Sequence, residues 1–302
     1  MKRREFIATT AITAIAVSAS GFIRFNGKFF EGDCETTTDI LGPFYRPDSP
    51  VRNNLRVPGD PGALVELSGT VKHNDCITPY NNAKIELWHC DSKGVYDNSS
   101  DKYLYRGTSY CNDKGEYSFK TILPVPYDTG GGDFRPAHFH LMITAEGYLP
   151  LVTQLYFTGD QYIAKDVSSS SPSAKRRILE VQTLKDKTKK VVYNVSMSET
   201  LIVEPAVLTK LSGVYVNEKD KNDKNEFFVK NKLLWMKNEP LGMPFGMNLD
   251  YVGNNTFSFP GLHDGMSFEY HFELLSSGSV KLTTTFTNAK GKKDVSIAIK
   301  EF

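Results

Sequence analysis

Short runs in which apolar and polar residues alternate follow one another along most of the chain. From Leu64 onward these runs are LVELSGTV, AKIELWHC, KYLYRGTSY, EYSFKTI, HFHLMIT, LVTQLYF and KVVYNVSM. Turn residues separate them, and helical periodicity is almost absent. The pattern predicts an all-β protein with an antiparallel sandwich or barrel over residues 33–198.

A second series of alternating runs covers residues 207–302. It contains GVYVN, EFFVKNKLLWM, SFEYHFELL, SVKLTTTFT and VSIAIKEF, separated by Asn-Asn, Gly and Lys-Asp turns. We predict a separate meander of about seven or eight strands, forming a small barrel or sandwich. Its two histidines, His263 and His271, are expected to be surface or structural residues. Residues 198–210 are expected to connect the two units.

Composition and charge narrow the range of functions. The chain has 302 residues, of which 40% are hydrophobic and 12% aromatic, which is enough for packed cores in two units. The formal charge is +1, and Lys, Arg, Asp and Glu are interspersed. Because no basic block or stripe is present to neutralise phosphates, the sequence argues against a nucleic-acid partner.

The N-terminal sequence MKRREFIATTAITAIAVSASG is typical of an export signal. A charged start precedes an apolar run that is too short for a comfortable membrane span, and small residues suited to cleavage follow. Arg3 and Arg4 resemble a twin-arginine signal, and an ordinary secretory signal is the alternative. We expect residues 1–20 to be removed, which leaves a periplasmic or extracellular protein without a stable membrane span.

Export to an oxidising compartment would allow disulfides among Cys34, Cys76, Cys90 and Cys111. If residues 65–73 and 83–90 form a hairpin, Cys76 lies at its turn and Cys90 at its far end. That separation argues against a bridge between these two residues. The remaining pairings stay open, and no spacing matches a thiolate zinc site.

The run DFRPAHFHLMIT carries the strongest chemical signal. Side chains at positions i and i+2 of a strand share a face, so His138 and His140 point the same way and can bind one metal. Arg135 lies at the entrance of this strand. Tyr127 follows two prolines in a loop that becomes pliable at Gly130–Gly132, and Tyr96 lies in the loop after another strand.

Several motifs together resemble the intradiol ring-cleaving dioxygenases, which include the catechol and protocatechuate enzymes. These motifs occur in the family's order over about Thr36 to Asp160. They are TDILGPFYRP, AKIELWHCDSKGVYD, LYRGTSYCNDKGEYSFKTILPVPY, RPAHFH and TQLYFTGD. The resemblance implies an intradiol dioxygenase-type β-sandwich extending to about Ser198. It covers neither the signal nor the C-terminal unit.

The resemblance implies one non-haem Fe(III) per chain. The residues at the family's ligand positions are Tyr96, Tyr127, His138 and His140. Phenolate is a hard donor that suits Fe(III) and stabilises it against reduction, whereas all-imidazole or thiolate sets favour zinc or copper. In the family, the tyrosine that corresponds to Tyr127 leaves the metal and helps accept a proton.

Four further residues match family positions. Arg135 matches an arginine that stabilises negative charge on the ring, and Gln154 matches a glutamine near the metal. Ile40 and Pro43 match residues that line the substrate pocket, although ordinary loop packing is an equal interpretation. The implied reaction uses O2 to cleave a catechol-type ring between its hydroxyl-bearing carbons, giving a cis,cis-muconate-type dicarboxylate.

The chain departs from the family in ways that bear on substrate and assembly. Thr129 stands where protocatechuate enzymes have a pocket aromatic, and the helical dimerisation region of catechol-type enzymes is missing. The C-terminal unit could shape the mouth of the active site, bind a substrate polymer or mediate a homo-oligomer. Two other functions remain open, namely an inactive aromatic-binding module and a zinc hydrolase using the histidine pair.

Overall fold

The computed structural model describes residues 36–199, 201–238 and 243–301, together with the backbone of three short strands between residues 17 and 32. The predicted export signal, residues 1–20, lies outside the described residues except for Val17–Ser18. The three short strands are β1 (Val17–Ser18), β2 (Gly21–Phe25) and β3 (Phe30–Gly32). No helix among the described residues is long and apolar enough to cross a bilayer.

The first unit is built from short strands that form two main sheets. One sheet has the order β12-β11-β10-β5-β6, and the other has the order β13-β14-β4-β15 with β7 paired to β4. The strands are β4 (Leu64–Lys72), β5 (Lys84–Trp88), β6 (Arg106–Tyr110), β7 (Glu116–Ile122), β8 (Tyr127–Asp128), β9 (Phe134–Arg135), β10 (His138–Thr144), β11 (Leu151–Phe157), β12 (Ile178–Leu179), β13 (Gln182–Thr183), β14 (Lys189–Val192) and β15 (Val195–Ser196).

The core of this unit lies between the two sheets. Leu67 and Phe119 project from one sheet, and Leu87 and Leu141 project from the other, into a single buried cluster. Each comes from a run in which apolar residues alternate with other residues, so one face of each strand is available for burial. This arrangement confirms the predicted β-sandwich.

Residues 65–73 and 83–90 do not form a hairpin with each other. Strand β4 pairs instead with β7, β14 and β15, and β5 pairs with β6 and β10 in the other sheet. Alternation identifies a strand but not its partner, because pairing is decided by contacts distant in sequence. Cys76 is disulfide-bonded, whereas Cys90 and Cys111 are buried free thiols. Cys76 and Cys90 are therefore not bridged to each other, as predicted. The reason is not the hairpin geometry from which this was argued.

The serine-rich loop and the connecting segment each contain a short helix. A 3-10 helix spans Pro172–Arg177, in the serine-rich segment that follows β11. Helix α1 (Pro205–Leu211) begins at a proline, which is favoured in the first turn of a helix because its missing N–H has no partner there.

The second unit is one antiparallel sheet of nine strands, rather than about seven or eight. The order is β19-β18-β17-β16-β24-β23-β22-β21-β20. The strands are β16 (Gly213–Asn217), β17 (Lys224–Lys230), β18 (Leu233–Asn238), β19 (Met243–Asn248), β20 (Asp250–Gly253), β21 (Thr256–Ser258), β22 (Ser267–Leu274), β23 (Val280–Thr287) and β24 (Lys293–Lys300).

The two edges of this sheet lie close together, because only Leu249 separates β19 from β20. The sheet therefore curls into a nearly closed barrel, which removes most of its exposed edge. Aromatic side chains fill the interior; Phe227, Tyr215 and Phe272 meet edge to face at centroid distances of 5.2–5.5 Å. This confirms the predicted second β unit.

The two units share a buried apolar cluster. It includes Trp88, Met142 and Val152 from the outer face of the β10 sheet, together with barrel residues such as Met236 and Leu249. The outer face of that sheet is therefore covered by the barrel in part, and the rest of the same face carries the histidine pair.

Leu67 and Leu64 provide a matched test of the sandwich core. Leu67 is fully buried, whereas Leu64 on the same strand is 42% exposed. We expect Leu67→Ala to lower the free energy of unfolding by about 2–5 kcal/mol, because it leaves a cavity between the sheets. Leu64→Ala should cost much less. Urea denaturation followed by circular dichroism measures both, and equal losses would contradict the proposed core.

Candidate metal centre

Strand β10 places the two histidines on the outer face of its sheet. Phe139 and Leu141 point into the sandwich core and are fully buried. His138 and His140 therefore point to the opposite side, where each is 1% exposed. The strand has neighbours on both sides, β11 and β5, so its position and register are fixed.

The neighbouring strand β5 supports one imidazole ring directly. Trp88 lies opposite His140 in the register and stacks on it, with the ring centroids 4.9 Å apart and the planes 10° from parallel. On another side, a Cβ at Gly42 would lie 3.1 Å from His140 Cε1. Gly42 also has φ +74°, so glycine is favoured there for both space and backbone conformation.

Two loops bring the tyrosines to the histidine pair. Tyr96 follows β5 and is 7% exposed, and Tyr127 begins β8 and is half-buried. Their rings meet edge to face at 5.5 Å. Gly94 permits this approach, because a Cβ there would lie 2.8 Å from Tyr127 Cβ. Phe44 stacks on Tyr96 with a centroid distance of 4.3 Å.

Three donor atoms converge at one point. Tyr96 Oη lies 3.4 Å from His138 Nε2 and 3.2 Å from His140 Nε2, and the two Nε2 atoms are 3.1 Å apart. The centroid of the Tyr127 ring lies 5.7 Å from that of the His138 ring. The four residues that the sequence predicts as ligands are thus neighbours in the structure.

The hydrogen bonds of the imidazoles indicate which nitrogens carry lone pairs. His138 Nδ1 lies 2.6 Å from the Pro136 carbonyl oxygen, which can only accept. Nδ1 must therefore carry the proton, and Nε2 directs a lone pair toward His140. His140 Nδ1 is buried without a hydrogen-bond partner. Inward-facing lone pairs at 3.1 Å repel one another unless a proton or a cation lies between them.

The donor separations match the edges of a metal coordination shell. Bonds of about 2.0–2.1 Å place adjacent ligand atoms about 3.0–3.4 Å apart, the range seen here. Among the residues that the structure describes, no group of three His, Cys, Asp or Glu side chains could hold a metal. The candidate set therefore consists of phenol oxygens and imidazole nitrogens, and the third histidine or carboxylate that a zinc hydrolase requires is not found there.

Burial keeps all four donors uncharged in the absence of a cation. Burial, followed by the charge of Arg135, lowers the pKa of His138 to about 3. Burial and the neighbouring His138 hold the pKa of His140 well below its usual value. Burial raises the pKa of Tyr96 and, against the opposing effect of Arg135, that of Tyr127. A bound cation would reverse this for the tyrosines by favouring phenolate.

Arg135 lies beside the donors and is held from two sides. Its Nε lies 2.6 Å from Asp166 Oδ1, an ionic contact without the alignment of a hydrogen bond. Its Nη2 donates to Gln154 Oε1 at 2.8 Å and to the Tyr156 hydroxyl at 3.2 Å. Burial alone would lower the pKa of Arg135, but Tyr156 and Asp166 outweigh it and keep the guanidinium charged.

Gln154 links this arginine to the loop before the sandwich. It is fully buried, and its amide donates to the Ile40 carbonyl at 2.7 Å. Ile40 therefore contributes a backbone contact near the centre. Pro43 lies in the same loop with its side chain exposed. The structure brings Arg135 and Gln154 together as part of one network, and it places Ile40 at the edge of that network.

Sequence reasoning missed four buried members of this network, which are Asp166, Tyr156, Asp39 and Arg177. Tyr156 donates to Asp39 Oδ2 at 2.8 Å, and Arg177 forms a short ion pair with the same carboxylate. Tyr156 lies two residues after Gln154 on the same strand, so strand alternation alone could have placed it on this face. Asp39 and Arg177 are 138 positions apart, and no local pattern connects them.

Comparisons with known proteins match the first unit to a protein family. The Dioxygenase family model matches residues 40–199, more than half of the chain. Chlorocatechol 1,2-dioxygenase of Rhodococcus opacus is 35% identical over 161 residues, covering 46% of this chain and 62% of that protein. Catechol 1,2-dioxygenase of Candida albicans is 35% identical over 154 residues, covering 43% of this chain and 50% of that protein.

Solved structures of similar proteins include two dioxygenases. The dioxygenase domain of a dioxygenase and carbohydrate-binding protein fusion from Streptomyces sp. SirexAA-E is 26% identical, with a TM-score of 0.48, and the match covers 55% of this chain and 99% of that one. The 3-chlorocatechol 1,2-dioxygenase of Rhodococcus opacus 1CP is 23% identical, with a TM-score of 0.49, covering 55% and 73%.

The chain belongs to the intradiol ring-cleavage dioxygenase family. The match covers the sandwich and leaves the C-terminal barrel unmatched, since it ends at residue 199. It spans 62% and 50% of the length of the two curated relatives.

The ion pair of Asp39 and Arg177 permits a test of the support network. Both side chains are almost completely buried, at 3% and 2% exposure. Arg177→Met should lower the free energy of unfolding by about 3–5 kcal/mol, because it leaves a buried carboxylate without its partner. The double variant Arg177→Met with Asp39→Leu should recover much of that loss. Denaturant unfolding measures all three proteins, and additive losses would contradict the pairing.

Proposed function

We propose that this chain is a ring-cleaving dioxygenase that binds one Fe(III) through Tyr96, Tyr127, His138 and His140. The convergence of two phenols and two imidazoles beside a buried, charged arginine carries the proposal. The residues fit the ion for two reasons. The separations of Tyr96 Oη and the two Nε2 atoms suit a coordination shell, and both imidazoles direct Nε2 toward the same point, where a cation can replace the proton that one of them would otherwise hold there.

The proposed substrate is a catechol-type aromatic diol. The relatives include proteins named as chlorocatechol, catechol and hydroxyquinol 1,2-dioxygenases. When bound, a ferric ion would act as a Lewis acid on the diol, withdrawing electron density so that the ring becomes susceptible to attack by O2. The diol and O2 together supply every atom of a cis,cis-muconate-type dicarboxylate, and two protons are released.

Tyr127 is suited to handle one of the substrate protons. It is half-buried, whereas Tyr96 is packed under Phe44. Tyr127 therefore has more freedom to move and to accept a proton from the incoming hydroxyl group. Gly130, Gly131 and Gly132 follow it with positive φ angles and open space around them, so the loop can adjust without steric cost.

Arg135 would stabilise negative charge that develops on the ring. Its guanidinium is already oriented by Asp166, Gln154 and Tyr156 before substrate arrives. A preoriented charge in a buried site needs little reorganisation during the reaction, and this is the most effective form of electrostatic catalysis.

We also propose that the chain is exported to the periplasm or beyond the cell. The charged start MKRREFI, followed by a short apolar run, supports this proposal. N-terminal sequencing of the mature chain would test it, and a mature protein that retains residues 1–20 would contradict it.

Ring opening by the iron-loaded protein is the direct test of the proposed activity. Catechol, a chlorocatechol and hydroxyquinol are added without oxygen, and the visible spectrum is recorded. ¹⁸O-labelled O2 is then added, and the mass of the product is measured by mass spectrometry. We expect a spectral shift with at least one diol and a dicarboxylate that carries two labelled atoms. An iron-replete protein that opens none of these rings would refute the proposal.

Tyr96→Phe tests the ligand assignment separately. Removing the phenol oxygen takes away one of the converging donors, so we expect the tyrosinate-to-iron visible band to weaken strongly and the iron content to fall. Tyr105→Phe is the control, since Tyr105 is also buried but its hydroxyl donates to Asp60 instead. Full colour and full iron content in Tyr96→Phe would exclude Tyr96 as a ligand.

A further inference from the structure

One turn of the C-terminal barrel reaches the segments that support the site. This turn, Gly261–Asp264, lies between strands β21 and β22 and is called the barrel turn below. It contacts the first unit at Asp39 in the loop before the sandwich and at the serine-rich segment 166–173. Both segments are distant in sequence from the barrel, so the contacts are tertiary.

The first contact is a close backbone approach at Gly261. A Cβ at this position would lie 2.3 Å from the Asp39 carbonyl oxygen and 3.2 Å from the Ile40 nitrogen. These are backbone atoms, which cannot rotate away as a side chain would. Gly261 also has φ +76°, a conformation that favours glycine. The barrel turn therefore lies directly against the peptide that joins Asp39 to Ile40.

The second contact is a pair of hydrogen bonds to the serine-rich segment. His263 Nε2 lies 2.9 Å from the hydroxyl of Ser168, which is 4% exposed. Asp264 Oδ2 accepts from the Ser173 backbone N–H at 3.0 Å. Beside the turn, a cavity of about 300 Å³ lies between the two units. Residues of both units line it, including Thr38 and Asp250. The turn therefore makes a few discrete contacts, with open space beside them.

The segments that the barrel turn contacts are those that hold Arg135. Asp166 forms the ion pair with Arg135 Nε and also accepts from the Ser169 N–H at 2.8 Å, one residue after Ser168. On the other side, Asp39 accepts from Tyr156, and the Ile40 carbonyl accepts from Gln154. Displacing either segment would move a group that contacts the guanidinium.

We propose that the barrel turn is a positioning element of the active site, which sets the place of Arg135 by holding Asp39–Ile40 on one side and the Asp166 segment on the other. The inference rests on the proposed function for Arg135. It gives the C-terminal barrel a catalytic role without placing any barrel residue in contact with the substrate.

The expected effect is on turnover rather than on iron. Tyr96 lies in the loop after β5, Tyr127 begins β8, and His138 and His140 lie on β10. The barrel turn makes none of the hydrogen bonds described for these four residues. Displacement of a positioned catalytic group by about 1 Å can cost on the order of 100-fold in rate. Variants of the turn should therefore retain the visible absorption band of the iron-loaded protein and show a lower kcat.

Two variants of the full chain, each with a matched control, test the proposal. Gly261→Ala pushes a Cβ against the Asp39 carbonyl, and its control Gly278→Ala changes a barrel glycine with φ +85° and open space around it. His263→Ala removes the hydrogen bond to Ser168. Its control, His271→Ala, removes a hydrogen bond of the same length, 2.9 Å, to Thr256 on the neighbouring barrel strand. His263→Gln retains an amide that can reach Ser168.

We expect kcat to fall about 10- to 100-fold in Gly261→Ala and His263→Ala, with iron content, visible band and KM changed far less. The two controls should match the wild type, and His263→Gln should recover part of the loss. In an Arg135→Ala background the turn variants should cause no further loss, because the group they position is gone. Equal activity of variants and controls, or the same loss with and without Arg135, would overturn the proposal.

Amide hydrogen exchange supplies a readout that does not need turnover. Gly261→Ala and His263→Ala should speed exchange in residues 36–41 and 160–177, and the controls should not. If the wild type opens no ring, the proposed function fails, while faster exchange still shows that the turn holds these segments. If the wild type is active and neither exchange nor kcat responds to the turn variants, the inference alone is wrong.

Discussion

The alternation of side chains along strand β10 is the constraint on which the site depends. Phe139 and Leu141 are fully buried between the two sheets, so the strand cannot rotate or slip without exposing them. The same geometry fixes His138 and His140 on the other face, with their Nε2 atoms 3.1 Å apart. Core packing therefore holds two imidazoles together with both Nε2 atoms facing the same point. The binding site is in this sense a consequence of the hydrophobic core.

The rest of the centre is made by loops that approach this fixed pair. Arg106 helps to hold them, because its guanidinium is 1% exposed and donates to the carbonyls of Phe44 and Asp97 at 2.6 and 2.8 Å. One side chain thus ties the loop that carries Phe44 to the loop that carries Tyr96. Gly42 lets the first loop approach the His140 ring, and Gly94 lets the second loop approach Tyr127, more closely than a larger residue would allow.

Sequence patterns predict the parts of this structure that local chemistry decides. The run HFHLMIT gives a strand with two histidines on one face, and the family resemblance points to Tyr96, Tyr127, Arg135 and Gln154. Partners far apart in sequence leave no such pattern. The sequence therefore does not identify β7 as the partner of β4, and the ion pair of Asp39 with Arg177 was missed. The nine-strand order likewise could not be read from local patterns, because the two edge strands, β19 and β20, are neighbours in sequence separated only by Leu249.

The charges around the centre explain why these distant partners matter. Arg135 and Arg177 are matched by Asp166 and Asp39, so the support network itself carries no net charge. Without the carboxylates, two buried guanidinium groups would repel a trivalent cation bound at the neighbouring donors. With them, a ferric ion bound to two phenolates would retain one positive charge, which attracts a deprotonated diol. Arg135 then remains free to favour the side of the ring on which negative charge develops, and its direction depends on where Asp166 and Gln154 are held.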